Sequence, residues 1–167
     1  VLILMAIVSL LTTKRQCRID NRFTYNPIIE VAVLFAGIFV TMVPALLILS
    51  SRAAGLGIAK PWQFFWMTGS LSSFLDNTPT YLAFFSMAQG LGLNGPVMGI
   101  PTLMLMAISA GAVFMGANSY IGNGPNFMVK VIAEEYKMKM PSFFGYMLYS
   151  FAVLIPLYVV VTLVFFR

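Results

Sequence analysis

Ser73-Phe-Leu-Asp-Asn77-Thr-Pro79 and Ser119-Tyr-Ile-Gly-Asn123-Gly-Pro125 follow one pattern (Ser, aromatic, aliphatic, any, Asn, any, Pro) and lie 46 positions apart. Each copy interrupts an apolar stretch. Each places polar side chains and a helix-limiting proline where a helix in a membrane would otherwise run on. Taken singly, both have ordinary readings. Asp76-Asn-Thr-Pro79 can be a plain helix start with Thr78 as cap and Pro79 at the first helical position, and Gly122-Asn-Gly-Pro-Asn126 can be a plain loop. Their repetition in so apolar a chain favours a shared purpose.

Working outward, the composition fixes the solvent. Of the 167 residues 60% are apolar and 9% charged, with a mean hydropathy of +0.91, whereas roughly a quarter of the residues in a globular domain are charged. The chain reads as an integral membrane protein. Val1 to Leu11 is apolar with no initiator Met and no basic segment before it, so it reads as the end of a span and not as a signal peptide. On that reading the chain is the C-terminal part of a larger protein. Cys17 stands alone and is flanked by Lys14, Arg15, Arg18 and Arg22, a basic loop that the positive-inside rule puts in the cytoplasm. The net charge of +5 is spread over loops between apolar spans, which suits lipid head groups and excludes nucleic acid as the expected partner. With no His and no Cys cluster, the sequence also offers no nucleophile and base for an enzyme.

The expected fold is an all-α membrane protein. Residues 1–12 end one span, 13–27 form the cytoplasmic loop, and 28–50 form a span begun by Asn26-Pro27 and kinked at Pro44. The aromatic cluster Pro61-Trp-Gln-Phe-Phe-Trp66 marks an interface. Between it and Gly90 the polar break Asp76 to Pro79 leaves two pieces, each too short to cross about 30 Å. If 61–90 is a re-entrant helical hairpin, seven Lys and Arg fall inside and three outside; if it is a single crossing, five fall on each side. The hairpin obeys the positive-inside rule. Residues 98–139 then form a discontinuous helix, broken from Gly116 to Asn126 and preceded by the small residues Ala107, Gly111 and Ala112. Residues 142–167 form the last span, with the C-terminus outside.

The helix breaks, marked by Pro79, Gly122, Gly124 and Pro125, free backbone groups that lipid cannot satisfy. Half-helix N-termini carry partial positive charge, and the preceding C-termini offer carbonyls to a cation. Ser73, Asn77, Thr78, Ser119, Asn123 and Asn126 surround these ends. Asp76 would be the sole acid at membrane depth, where a carboxyl group withdrawn from water favours its protonated form and an adjacent cation favours the ionised one. Asp76, Asn77 and Asn123 are therefore the expected Na+ ligands. No resident cofactor is expected, only Na+ and H+ as transported or coupling ions.

Ser73-Phe-Leu-Asp-Asn-Thr-Pro-Thr80 and Gly116-Ala-Asn-Ser-Tyr-Ile-Gly-Asn-Gly-Pro-Asn-Phe-Met128, in this order of segments, resemble the ion transporter superfamily of citrate, dicarboxylate and arsenite permeases. Within it the chain is similar to NhaD-type sodium/proton antiporters. The resemblance implies half of an inverted-repeat transporter, whose N-terminal repeat is not in this chain. It further implies Ser73, Asn77 and Thr78 at a hairpin tip, Ser119, Asn123 and Asn126 at a helix break, a bacterial cytoplasmic membrane, and a homodimer as a candidate assembly. Dicarboxylate carriers of the group have Ser-Asn-Thr tips without an acid. Asp76 departs from that pattern, so the leading expectation is Na+/H+ antiport, with a cation-coupled citrate or dicarboxylate symporter as the alternative.

Overall fold

The computed structural model describes residues 1–21 and 23–167, the side chains at 27, 30 and 31 excepted. Arg22, counted above with the basic loop, lies outside the described residues. Two compact units are present, Val1–Ile38 and Phe39–Arg167. Among the described residues every regular element is helical, with one isolated bridge between Val97 and Ile100.

In the first unit, α1 (Leu2–Thr12) is followed by a short α2 (Arg15–Asp20) inside the segment 13–27 read above as the cytoplasmic loop. Arg18 Nη2 donates to the carbonyls of Ser9 (3.3 Å) and Leu10 (3.0 Å). A cation thus caps the end of α1, where carbonyls lack intrahelical donors. α3 (Asn26–Arg52) begins at Asn26 and continues through Pro44. Among the described residues two helices are long and apolar enough to cross a membrane, Ala32–Leu56 and the last helix, Phe143–Phe165.

The second unit contains a 3₁₀ turn (Ala53–Leu56), α4 (Pro61–Ser72), α5 (Asn77–Gly90), α6 (Thr102–Phe114), a second 3₁₀ turn (Met115–Asn118), α7 (Gly124–Glu135) and α8 (Phe143–Phe165). Pro61 begins α4, and Gln63 Oε1 accepts the N–H groups of Ala59 and Lys60, both at 3.0 Å. At about 1.5 Å per residue, the 23 residues of α8 reach roughly 35 Å, whereas the 12 of α4 and 14 of α5 stop near 18 and 21 Å. Only the first length can cross a bilayer core of about 30 Å.

The core forms where α4 lies on α6. Phe64, Phe65, Ala107 and Ile108 are fully buried there. Small residues make the approach possible, since a Cβ on Gly111 would press into the Phe65 carbonyl. α8 joins this core through Met147, Ser150 and Tyr158. Trp66 Nε1 donates to Thr162 Oγ1 at 3.0 Å, and the Phe65 ring meets Tyr158 edge-on with centroids 6.2 Å apart. By contrast α7 buries none of its described residues. Lys130 and Glu134 pair at 2.7 Å on its polar face, and Phe127, Met128 and Ile132 are exposed.

Candidate functional site at the joint of two helix breaks

The first break falls earlier than the sequence suggested. α4 ends at Ser72 and α5 starts at Asn77, so the non-helical residues are Ser73 to Asp76 and not Asp76 to Pro79. Asp76, not Thr78, is the N-cap. Its backbone is extended (φ −61°, ψ 147°) and its carboxylate accepts the Asn77 N–H at 2.8 Å. A carboxylate is a stronger cap than a threonine hydroxyl. Pro79 then occupies the first turn of α5, where an N–H has no intrahelical acceptor and its loss costs little.

The second break is longer. α6 tightens into the 3₁₀ turn, the chain extends at Ser119 (φ −137°, ψ 169°), and α7 begins at Gly124 after an extended Asn123 (φ −148°, ψ 116°). Pro125 lies in the first turn of α7.

The two breaks are hydrogen-bonded to each other. Ser119, fully buried, donates from Oγ to the Ser73 carbonyl and accepts the N–H groups of Ile121 (3.1 Å) and Gly122 (3.0 Å). Ser73 Oγ lies 3.0 Å from the Gly69 carbonyl and 3.1 Å from that of Met115, and it accepts Asn118 Nδ2 at 3.0 Å. Carbonyl oxygens crowd one side of the Asn77 amide, so its nitrogen is the atom that faces them. It donates to Ala112 O (2.8 Å) and Gly122 O (3.0 Å) and lies 2.8 Å from Ser72 Oγ. No side chain fits at Gly122: a Cβ would come within 2.8 Å of the Gly116 carbonyl and 3.0 Å of the Ser73 carbonyl, and nearer still to that of Ser72.

The proposed site residues therefore divide. Ser73, Asn77, Ser119 and Gly122 form the joint and spend their polar groups on it. Asp76 is exposed and holds its own helix start; among the described residues its carboxylate has no bond to the second break. Thr78 is exposed, Asn126 donates from Nδ2 to the Tyr146 hydroxyl at 3.3 Å, and Gly124 faces open space. Asn123 presents a buried Oδ1 with no partner. An oxygen so placed is the feature here that a cation or an N–H or O–H donor would satisfy. Beside the joint a crevice of about 240 Å³ is lined by Asn77, Thr78, Tyr81, Ser109, Ala112 and Val113. It is smaller than pockets for drug-sized ligands, roughly 300–1,000 Å³, and its polar lining is neutral.

With this geometry in hand, comparison with known families adds one match: residues 1–166 fit the family CitMHS_2, described as "Putative citrate transport". The chain belongs to that family. No curated protein and no solved structure matches it. Membership in CitMHS_2 supports the citrate and arsenite type of ion transporter and places the chain among transporters and not enzymes. Together with the two span-length helices, it makes the chain part of an integral membrane protein.

Reading the repeated pattern alone misses three contributors to the joint, Asn118, Ser72 and Tyr158, and one residue of the crevice beside it, Ser109. Asn118 precedes the second copy by one residue, Ser72 precedes the first by one, and Ser109 lies a full turn before Ala112 on α6. Tyr158 lies on the last span, and its hydroxyl meets the Phe114 carbonyl at 2.8 Å. A row of hydroxyls at spacings of four and eight along α8 (Tyr146, Ser150, Tyr158 and Thr162) was the available signal.

Proposed function

We propose that this CitMHS_2 chain is the C-terminal repeat of a cation-coupled secondary transporter for citrate or another small carboxylate. The observation that carries the reading is the pairing of two helix starts, α5 after Asp76 and α7 after Asn123, at one neutral, hydrogen-bonded joint. The start of α7 has no side-chain cap and offers N–H groups with about half a positive charge, which suits a carboxylate without an arginine, while at the start of α5 the Asn77 N–H is already taken by Asp76. The Thr78 and Ser109 hydroxyls in the adjoining crevice add neutral donors. Coupling to Na+ or H+ offsets the negative charge of the substrate. In this proposal α4 and α5 form a re-entrant hairpin in a bacterial cytoplasmic membrane, with 13–27 inside and the C-terminus outside. The matching N-terminal repeat completes the site, and two copies of the whole form a homodimer.

Na+-driven uptake of labelled citrate by the complete transporter in proteoliposomes tests this reading, and failure of unlabelled di- and tricarboxylates to compete would reject it. A second reading, Na+/H+ exchange of the NhaD type, is favoured by two oxygens: the Asp76 carboxylate beside the joint and the unpartnered Asn123 Oδ1. With Asn77 these would hold Na+. Proton movement driven by Na+ without any carboxylate present would favour exchange over symport.

A further inference from the structure

The last turn of a helix leaves carbonyl groups without donors, and in lipid no water relieves them. Where α6 unwinds, however, side-chain hydroxyls from α8 and from the first break take them up. Tyr158 OH reaches the Phe114 carbonyl at 2.8 Å, Tyr146 OH the Ala117 carbonyl at 3.1 Å, and Ser150 Oγ the Asn118 carbonyl at 2.7 Å. From the other side Ser73 Oγ reaches the Met115 carbonyl at 3.1 Å. Asn118 is the hub. It is 3% exposed, its Nδ2 donates to Ser73 Oγ at 3.0 Å, and its Oδ1 lies 3.2 Å from Tyr158 OH, which shares its single proton between that oxygen and Phe114 O.

Tyr146, Ser150 and Tyr158 recur at multiples of four and so lie along one face of α8. On the same helix Leu148, Tyr149 and Val153 are each at least 70% exposed. The last span therefore has residues suited to lipid and hydroxyls that substitute for the hydrogen bonds the broken helix gave up. Continuing as an α-helix past Phe114 would let these carbonyls find N–H partners, carry Ser119 away from Ser73 and dissolve the joint. The hydroxyls remove that incentive.

We infer that α8 sets the geometry of the second break through Tyr146, Ser150 and Tyr158, and that Asn118 and Tyr158 are positioning residues, acting on the transport site through Ser73 and Ser119. The kinetic consequence rests on the proposed transport function, but the structural one does not.

The test uses the complete transporter in nanodiscs and proteoliposomes, with amide hydrogen exchange over 115–124 and Na+-driven citrate uptake as separate readouts. Losing one neutral hydrogen bond, worth about 1 kcal/mol, changes an equilibrium about fivefold. Tyr158→Phe, which keeps the ring against Phe65, is expected to speed exchange at Ile121 and Gly122 by about fivefold and to raise the apparent KM for citrate by a similar factor. Maximal rate should change less. Tyr149→Phe, at an exposed position, should alter neither. If Tyr158→Phe does not yield folded protein, Ser150→Ala and Ser150→Thr replace it: exchange should rise in the alanine variant and return toward the parent value in the threonine variant. Unchanged exchange in the hydroxyl-deleting variant, or equal change in Tyr149→Phe, overturns the inference. If the parent protein moves no citrate, the transport reading fails while the exchange data still decide the role of α8.

Discussion

The two breaks carry the same spaced residues yet solve their backbone problem in opposite ways. In the first, the serine looks back: Ser73 Oγ reaches into its own helix at Gly69 as well as across to Met115, and the following helix is capped by its own acid, Asp76. In the second, the serine reaches outward to the Ser73 carbonyl while folding its own loop through Ile121 and Gly122, and Asn123 adds no side-chain cap. The Asn77 amide is consumed by the joint, whereas one oxygen of Asn123 is left over. Both breaks thus build the joint, and the second also leaves a group free for something else. A repeated motif specifies where a chain opens, and its neighbours decide what each copy is left to do.

The largest effect should come from closing the joint. Gly122→Val drives a branched side chain into three backbone carbonyls, and uptake in proteoliposomes is expected to fall by up to about 100-fold, given that overpacking costs about 1–3 kcal/mol. Gly124→Ala, two residues on with nothing within 4 Å, should retain most activity, and equal loss in both variants would break the comparison. Next comes Ser119→Ala. It strands two N–H groups and a carbonyl, so a destabilisation of about 2–3 kcal/mol is expected, visible as a lower thermal midpoint in detergent and larger than that of Asn126→Ala.

Asp76→Asn sharpens the contrast in function. As an exposed N-cap it should cost less than about 1 kcal/mol, since asparagine caps nearly as well. Citrate uptake within about threefold of the parent is expected if the acid only caps α5; complete loss, together with loss of Na+-driven proton movement, would transfer the leading role to exchange. The smallest effect belongs to Lys130→Ala. Its partner Glu134 is one turn away on the outer face of α7, and such pairs contribute about 0.3–0.5 kcal/mol, so midpoint and uptake should stay near the parent values.

Much of the helical layout was legible because prolines, glycines and interfacial aromatics punctuate an apolar chain. The repeated pattern also marked the two segments that the structure joins. The start of α5 was misplaced by two residues because a proline anywhere in the first turn is tolerated, so Pro79 could not by itself choose between Thr78 and Asp76 as cap. What stayed hidden was direction. Sequence spacing puts Tyr146, Ser150 and Tyr158 on one face of α8, but it cannot say that this face meets unwound carbonyls of α6 instead of lipid. Likewise Asn77 and Asn123 look equivalent in the pattern. Only the packing of Gly116 and Gly122 around the first makes them different.

The bond between Trp66 and Thr162 gives the protein a built-in optical probe. Of its two tryptophans, Trp62 is 41% exposed, while Trp66 is partly buried, hydrogen-bonded to α8, and edge-on to Phe65 and Tyr158. Separation of α4 from α8 would free that indole N–H and rearrange its aromatic neighbours. With Trp62 replaced by phenylalanine, the remaining emission would follow the motion without a dye, in real time and in native lipid.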